Sequence, residues 1–263
     1  MPARWGQNFL ADAAWRQRVA AAVAPQSGEA LLEIGGGNGD LSALLAAGGC
    51  RLTIVEIDPL LAARLGERFA SQNAVQVRHG DILALDWSQL AAPPGPWRLF
   101  GNLPYYITGP ILFRYFRQVE LFRDATVMVQ KEIADRLTAV PGPEFGRLSA
   151  AAQFFCRPHR MFDLPPGAFR PQPKVWSSLV KLEPAELLPA PAERQAFLSF
   201  LRVAFAQKRK RLGNNLKTIY SASPVAAALA DADLDADARA EQCTVETLWR
   251  LFQRVQSARS TLE

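Results

Sequence analysis

The chain has 263 residues, 49% apolar and 21% charged, with a net charge of +5. That suits one large domain, or one with a small appendage, in a soluble protein. No apolar run reaches the roughly 18 residues of a membrane helix, and the Ala-rich stretch at 19–24 is too short for a signal peptide. Cys50, Cys156 and Cys243 are scattered, and the only histidines are His79 and His159. Neither a disulfide framework nor a metal site is expected, and a reducing cytoplasm is the expected location.

In chain order, a strand is predicted at 30–34, a helix at 41–47, a strand at 51–56 and a helix at 59–71 opening on Pro59. Strands follow at 74–78 and 97–101, a helix at 111–119, a strand at 125–130 and a helix at 131–139. Runs at 157–162 and 176–182 read as a closing pair of strands. This alternation predicts an α/β fold: a mostly parallel sheet covered by helices, with ligands at the carboxyl ends of its strands. Pro184, Pro189 and Pro191 mark a linker, and the rest is helical, at 193–205, 212–220, 224–230 and 245–255. Two domains are therefore expected, 1–184 and a small all-α domain at 185–263.

Charge is unevenly spread. Residues 193–220 hold seven basic side chains and one acid; residues 221–263 hold four and seven. The run Lys208, Arg209, Lys210, Arg211 is the densest part of that basic block. It suits a polyanionic partner, or simply a solvated helix face.

Glu33-Ile34-Gly35-Gly36-Gly37-Asn38-Gly39-Asp40 follows the first predicted strand and opens a helix. Glycines allow a tight turn and close approach of backbone to a ligand. Glu56 ends the next strand, 21 residues after Gly35, where a carboxylate can accept both hydroxyls of a ribose. Asp81 ends the third and can accept an adenine amino group. A dinucleotide would bring a pyrophosphate close to Asp40 and be repelled. S-adenosylmethionine, cationic and without phosphate, suits the acidic loop better.

Asn102-Leu103-Pro104-Tyr105 ends the strand that begins at Trp97. An amide oxygen and a backbone carbonyl can accept both hydrogens of a flat exocyclic amino group, proline stiffens the turn, and an aromatic ring can stack on the base.

In order along the chain stand Gly6-Gln7-Asn8-Phe9-Leu10 with Asp12, the 33–39 loop, Val55-Glu56-Ile57-Asp58, Gly80-Asp81 and Gly101-Asn102-Leu103-Pro104-Tyr105. They continue as Gln130-Lys131-Glu132 with Arg136, Gly146-Arg147-Leu148-Ser149, Phe169-Arg170-Pro171-Gln172-Pro173-Lys174-Val175 and Gln207-Lys208-Arg209-Lys210-Arg211-Leu212. This ordered set, across roughly residues 4–255, resembles the small-subunit ribosomal RNA adenine dimethyltransferases, the KsgA or RsmA family. The resemblance implies a Rossmann-like class I methyltransferase with a mostly parallel seven-stranded sheet and a small all-α C-terminal domain for RNA binding. It implies transfer of methyl groups from S-adenosylmethionine to N6 of two adjacent adenosines near the 3′ end of 16S rRNA. The partner would be an immature 30S subunit, and the protein a monomer.

By position, the resemblance implies donor contacts at Asn8, Leu10, Gly35, Gly37, Glu56, Asp81 and Asn102. It implies chemistry at Asn102, Leu103, Pro104 and Tyr105, a base sandwich between Tyr105 and Phe169, and RNA contacts along Lys208–Arg211. Several of these residues have plain structural alternatives: Asn102 as a turn former, Asn8 as a local cap, Tyr105 and Phe169 as core aromatics. Gly36 departs from a proline often found in the family and is expected to loosen the loop. Tyr106 stands where Asn is common, Trp176 where Asp is usual, and Lys208 where Arg is common. Rival readings are a large-subunit rRNA adenine methyltransferase of the erythromycin-resistance type and a ribosome-assembly factor that acts mainly by binding.

Overall fold

The computed structural model describes residues 7–90 and 96–260. Gly6 of the N-terminal motif lies outside the described residues. The chain divides into two compact units, 1–134 with 158–184, and 135–157 with 185–263.

The first unit opens with β1 (Phe9–Leu10), α1 (Ala13–Val23), β2 (Ala30–Ile34), α2 (Asp40–Ala46), β3 (Arg51–Glu56) and α3 (Pro59–Arg68). It continues with β4 (Val75–His79), α4 (Trp87–Leu90), β5 (Trp97–Asn102), α5 (Thr108–Arg117), β6 (Phe122–Gln130) and α6 (Lys131–Leu137). After α7 (Arg147–Phe155) come β7 (Cys156–Leu164), β8 (Phe169–Arg170) and β9 (Ser177–Pro184).

Seven strands form one sheet in the order β4-β3-β2-β5-β6-β9-β7, and β1 pairs with β8 separately. Strands β4 to β6 of that order are parallel, and β9 runs antiparallel to β6. Residues Leu31, Leu32, Ile34, Leu99 and Phe100 are all nearly inaccessible, as expected of central parallel strands covered on both faces. β2 lies between β3 and β5, so successive crossovers leave it in opposite directions. That switch point opens a crevice at the carboxyl ends of the strands. At their amino ends, buried Arg98 is compensated by both oxygens of Asp124 (3.0 and 3.1 Å) and by Glu29 (3.2 Å).

Two motif aspartates are helix caps. Asp12 accepts from the Trp15 N–H at 3.0 Å, and Asp58 from Leu60 and Leu61 at 2.9 and 3.3 Å. Each such cap is worth about 1 kcal/mol.

The second unit holds α7, α8 (Pro191–Ala204), α9 (Leu212–Leu216), α10 (Ala222–Asp231) and α11 (Val245–Ser260). The expected single cut after residue 184 differs in one respect: residues 135–157 join the helical unit. Their attachment is aromatic. Phe154 lies 4.4 Å from Phe197 and 4.7 Å from Trp249 between ring centres, while fully buried Ala150, Ala151 and Ala152 let neighbouring helices approach closely. The basic run does not continue a helix. It forms the turn between α8 and α9, tied down by buried Asn215, whose amide donates to the Ala204 and Gln207 carbonyls (2.8 and 3.2 Å).

Candidate active site

The carboxyl ends of the parallel strands converge on one cavity. It is lined by Asn8 and Phe9, by Gly35 and Gly37 after β2, by Glu56 and Ile57 at the end of β3, by Asp81 and Ile82 after β4, and by residues 102–107 after β5. A second cavity shares Phe9, Gly35, Gly37 and Asn102 and adds Leu10, Arg16, Glu33 and Asp40. Nearly all the sequence-predicted donor and catalytic positions therefore meet in one place.

The glycine loop is packed tightly, contrary to the looseness expected from Gly36. A Cβ on Gly36 would lie 2.5 Å from Ile54 Cγ2 and 2.9 Å from Leu65 Cδ1, so this path excludes a larger residue. Gly37 has φ +55°, and a Cβ there would meet the Phe9 ring at 2.9 Å. Buried Glu56 holds the loop: Oε2 accepts the Gly37 N–H and Oε1 the Asp58 N–H, both at 3.0 Å. Each carboxylate oxygen keeps a second lone pair for a ligand. Asp81 Oδ1 accepts the Leu83 N–H at 2.8 Å, and Oδ2 has no bond among the described residues.

Asn102 is oriented by its neighbour. Its Nδ2 donates to the Asn8 carbonyl at 2.8 Å, and because a carbonyl only accepts, the amide oxygen must face the other way. The Leu103 N–H is spent on the Met128 carbonyl (3.0 Å), while no donor reaches the Leu103 carbonyl among the described residues. The Pro104 carbonyl takes the Ile107 N–H at 3.1 Å and the Thr108 hydroxyl at 3.0 Å, locking the turn into α5. Tyr105 Oη lies 3.1 Å from Ser177 Oγ. Burial raises the Tyr105 pKa against the opposing effect of that bond, so the phenol stays neutral.

Three findings differ from sequence expectation. Phe169 is 1% exposed, belongs to the core with Leu164, Ala168 and Leu179, and lines neither cavity. That placement agrees with its plain structural alternative, and β8, which carries it, pairs with β1. Asp40 does not leave a bare negative charge behind the loop: Arg68 pairs with it at 2.9 Å and Arg16 lies at 3.7 Å. The carboxylate that faces the loop is instead Glu56; beside the second cavity lies Glu33, a motif residue with no predicted role. Glu33 is 2% exposed, and its Oε2 finds no hydrogen-bond partner. Burial, with the Glu56 charge adding to it and Ser42 opposing, pushes its pKa up to about 8. Arg16 carried no sequence signal either. Its Nη1 donates to the Leu10 and Ala11 carbonyls (3.1 and 2.8 Å) and fastens the N-terminal segment beside the cavity.

A mixed seven-stranded sheet with this crevice, glycine loop and acidic strand end defines an S-adenosylmethionine-dependent methyltransferase of class I. Residues 2–257 match the family described as ribosomal RNA adenine dimethylase, and the chain belongs to that family. The ribosomal RNA small subunit methyltransferase A of Pseudomonas putida is 40% identical over 250 residues, covering 94% of this chain and 92% of that one. Its namesake from Koribacter versatilis is 39% identical over 264 residues, covering 95% and 93%. Among solved structures, the 23S rRNA methyltransferase ErmE superposes with a TM-score of 0.70 at 27% identity, covering 95% of this chain and all of that one. A dimethyladenosine transferase from Plasmodium falciparum gives 0.79 at 23% identity, covering 95% and 98%, and speaks to fold alone. S-adenosylmethionine is the methyl donor, and the cavity fits it: Glu56 retains free lone pairs, Asp81 a free oxygen, and Glu33 a buried, partnerless one. No helix among the described residues is long and apolar enough to cross a membrane.

Proposed function

We propose that this protein dimethylates N6 of two adjacent adenosines near the 3′ end of 16S rRNA, within an immature 30S subunit in the cytoplasm. The observation that carries the reading is the fixed Asn102 amide: its nitrogen is held by Asn8, its oxygen is left as an acceptor, and the carbonyl of the next residue, Leu103, meets no donor among the described residues. Two such acceptors on adjacent residues match the two hydrogens of an adenine amino group.

When bound, the donor supplies an electrophilic methyl on a sulfonium. Glu56 would hold its ribose, Asp81 its adenine amine, and Asn8, Leu10, Gly35 and Gly37 its amino-acid end. The adenine nitrogen is a weak nucleophile because its lone pair is delocalised into the ring. Asn102 Oδ1 and the Leu103 carbonyl draw its hydrogens and turn the lone pair toward the methyl group. Pro104 keeps those acceptors in place, and Tyr105, fixed through Ser177, stacks on the base once it has been flipped from its neighbours. Most of the acceleration is positioning and desolvation. The proton leaves to water from the cationic nitrogen, so no strong base is required. With Phe169 in the core, stacking is assigned to Tyr105 alone.

Lys208–Arg211 is proposed to contact rRNA phosphates. All four are exposed. Arg211 pairs with Asp237 at 2.8 Å and Lys208 donates to the Pro143 carbonyl at 2.5 Å, while Arg209 and Lys210 have no ion pair among the described residues.

The small subunit is favoured over the large because the relatives near 40% identity bear the small-subunit name, whereas the 23S enzyme stands at 27%. Mass mapping of methyladenosines in 30S particles and in 23S rRNA, with wild type and Asn102→Ala, tests the reading. Dimethyladenosine confined to 16S rRNA, and lost at least about a hundredfold in the variant, is expected for a lost positioning contact. Near-normal turnover by Asn102→Ala would remove the proposed role.

A further inference from the structure

The rim of the site carries two rings that the chemistry does not use. Ser177, the first residue of β9, is registered against Gln130, the last residue of β6. Because β9 runs antiparallel, the chain enters it at the same end of the sheet as the active site. Ser177 Oγ touches Tyr105 Oη at 3.1 Å, which places residue 176 beside the tetrapeptide. Trp176 is 49% exposed, and its carbonyl accepts the Lys131 N–H at 2.9 Å, so its backbone is held on both sides. Tyr106 follows Tyr105, lines the cavity mouth and is 57% exposed. Neither side chain has a ring or hydrogen-bond partner among the described residues. Val175, 42% exposed, extends the apolar surface.

Charge completes the pattern. Residues 169–177 contain Arg170 and Lys174, both exposed, and no acid. Lys131 and Glu132 are exposed at the start of the adjoining α6, Glu132 being the acid of that pair. Solvent-facing rings interleaved with cations suit unpaired RNA: the rings stack on bases of any sequence and the cations track phosphates.

We propose that Tyr106 and Trp176 are stacking platforms for the unpaired rRNA bases flanking the target adenosines, setting affinity for the RNA. The proposal rests on the rRNA adenine reading above. A flanking base on Trp176 would hold the strand while the target base turns toward Tyr105. Lys174 would hold the phosphate between them.

The test is steady-state methylation of unmodified 30S particles by wild type, Trp176→Ala, Trp176→Phe, Tyr106→Ala and Tyr106→Phe. Stacking on one base predicts a rise in KM for 30S of about five- to tenfold or more for each alanine variant, with most of it restored by phenylalanine. For Trp176→Ala, kcat and the donor Kd should stay within about twofold, and thermal stability should match wild type. In a salt series the aromatic variants should keep the wild-type slope of log affinity, whereas Lys174→Ala should lower it by about 0.7–0.9. An unchanged KM in the Tyr106→Ala/Trp176→Ala double variant would overturn the proposal. So would a loss shared with donor binding and not rescued by phenylalanine, since that reports packing. If wild type itself ignored 30S but methylated 23S rRNA, the 16S reading would fail, and the same variants on 23S rRNA would still decide the platforms.

Discussion

Replacing Glu33 by Gln removes an ionisable group from a buried place while keeping its shape. The Glu33 carboxyl is raised by burial from its ordinary 4.5 to about 8, with the nearby Glu56 charge contributing. Between those values the folded protein keeps a proton there that the unfolded chain has released. Folded protein therefore binds more protons than unfolded, and stability falls as pH rises through the window. Below pH 4.5 Glu33 costs nothing; above about 8 the full cost is present. Each pH unit inside the window is worth about 1.4 kcal/mol. Moving from pH 6 to pH 7.5 should then cost the wild type about 2 kcal/mol that Glu33→Gln does not lose. For a chain of this size that is roughly 4–8 °C in Tm. The assay is thermal unfolding of both proteins without donor at the two pH values. Glu33→Gln should gain on wild type by that amount at the higher pH. Parallel curves, with a constant difference between the proteins at both pH values, would refute a protonated, buried Glu33.

Two further outcomes follow from the loop and the basic turn. Gly36→Pro should destabilise the protein by about 1–3 kcal/mol, because the added carbons overlap Ile54 and Leu65; a Tm within 1 °C or so of wild type would show that the loop yields easily. Arg209→Ala with Lys210→Ala should weaken binding to 30S and lower the salt slope by about 1.4–1.8, one increment for each released phosphate. An unchanged slope would assign the basic turn to solvent.

What the sequence made legible was local. A strand buried on both faces announces itself as an apolar run, so β2 and β3 are predicted to the residue, and the glycine loop, Glu56, Asp81 and Asn102 inherit their places from strand ends. What it left hidden depended on partners distant in the chain. Helix α7 is absent from the predicted elements, and its stretch falls inside the first predicted domain until Phe154 meets Phe197 and Trp249. Phe169 looks like a base-stacking ring until it is buried in the core, on a strand paired with β1. Asp40 looks like a bare charge until Arg68, 28 residues away, closes on it. The same distinction bears on how the site works. The Asn102 amide is aimed by the carbonyl of Asn8, 94 residues earlier, and Asn8 belongs to the segment that Arg16 fastens beside the donor cavity. The proposed acceptor clamp and the proposed donor contacts therefore share one strut, and displacing the N-terminal segment should disturb both substrates together.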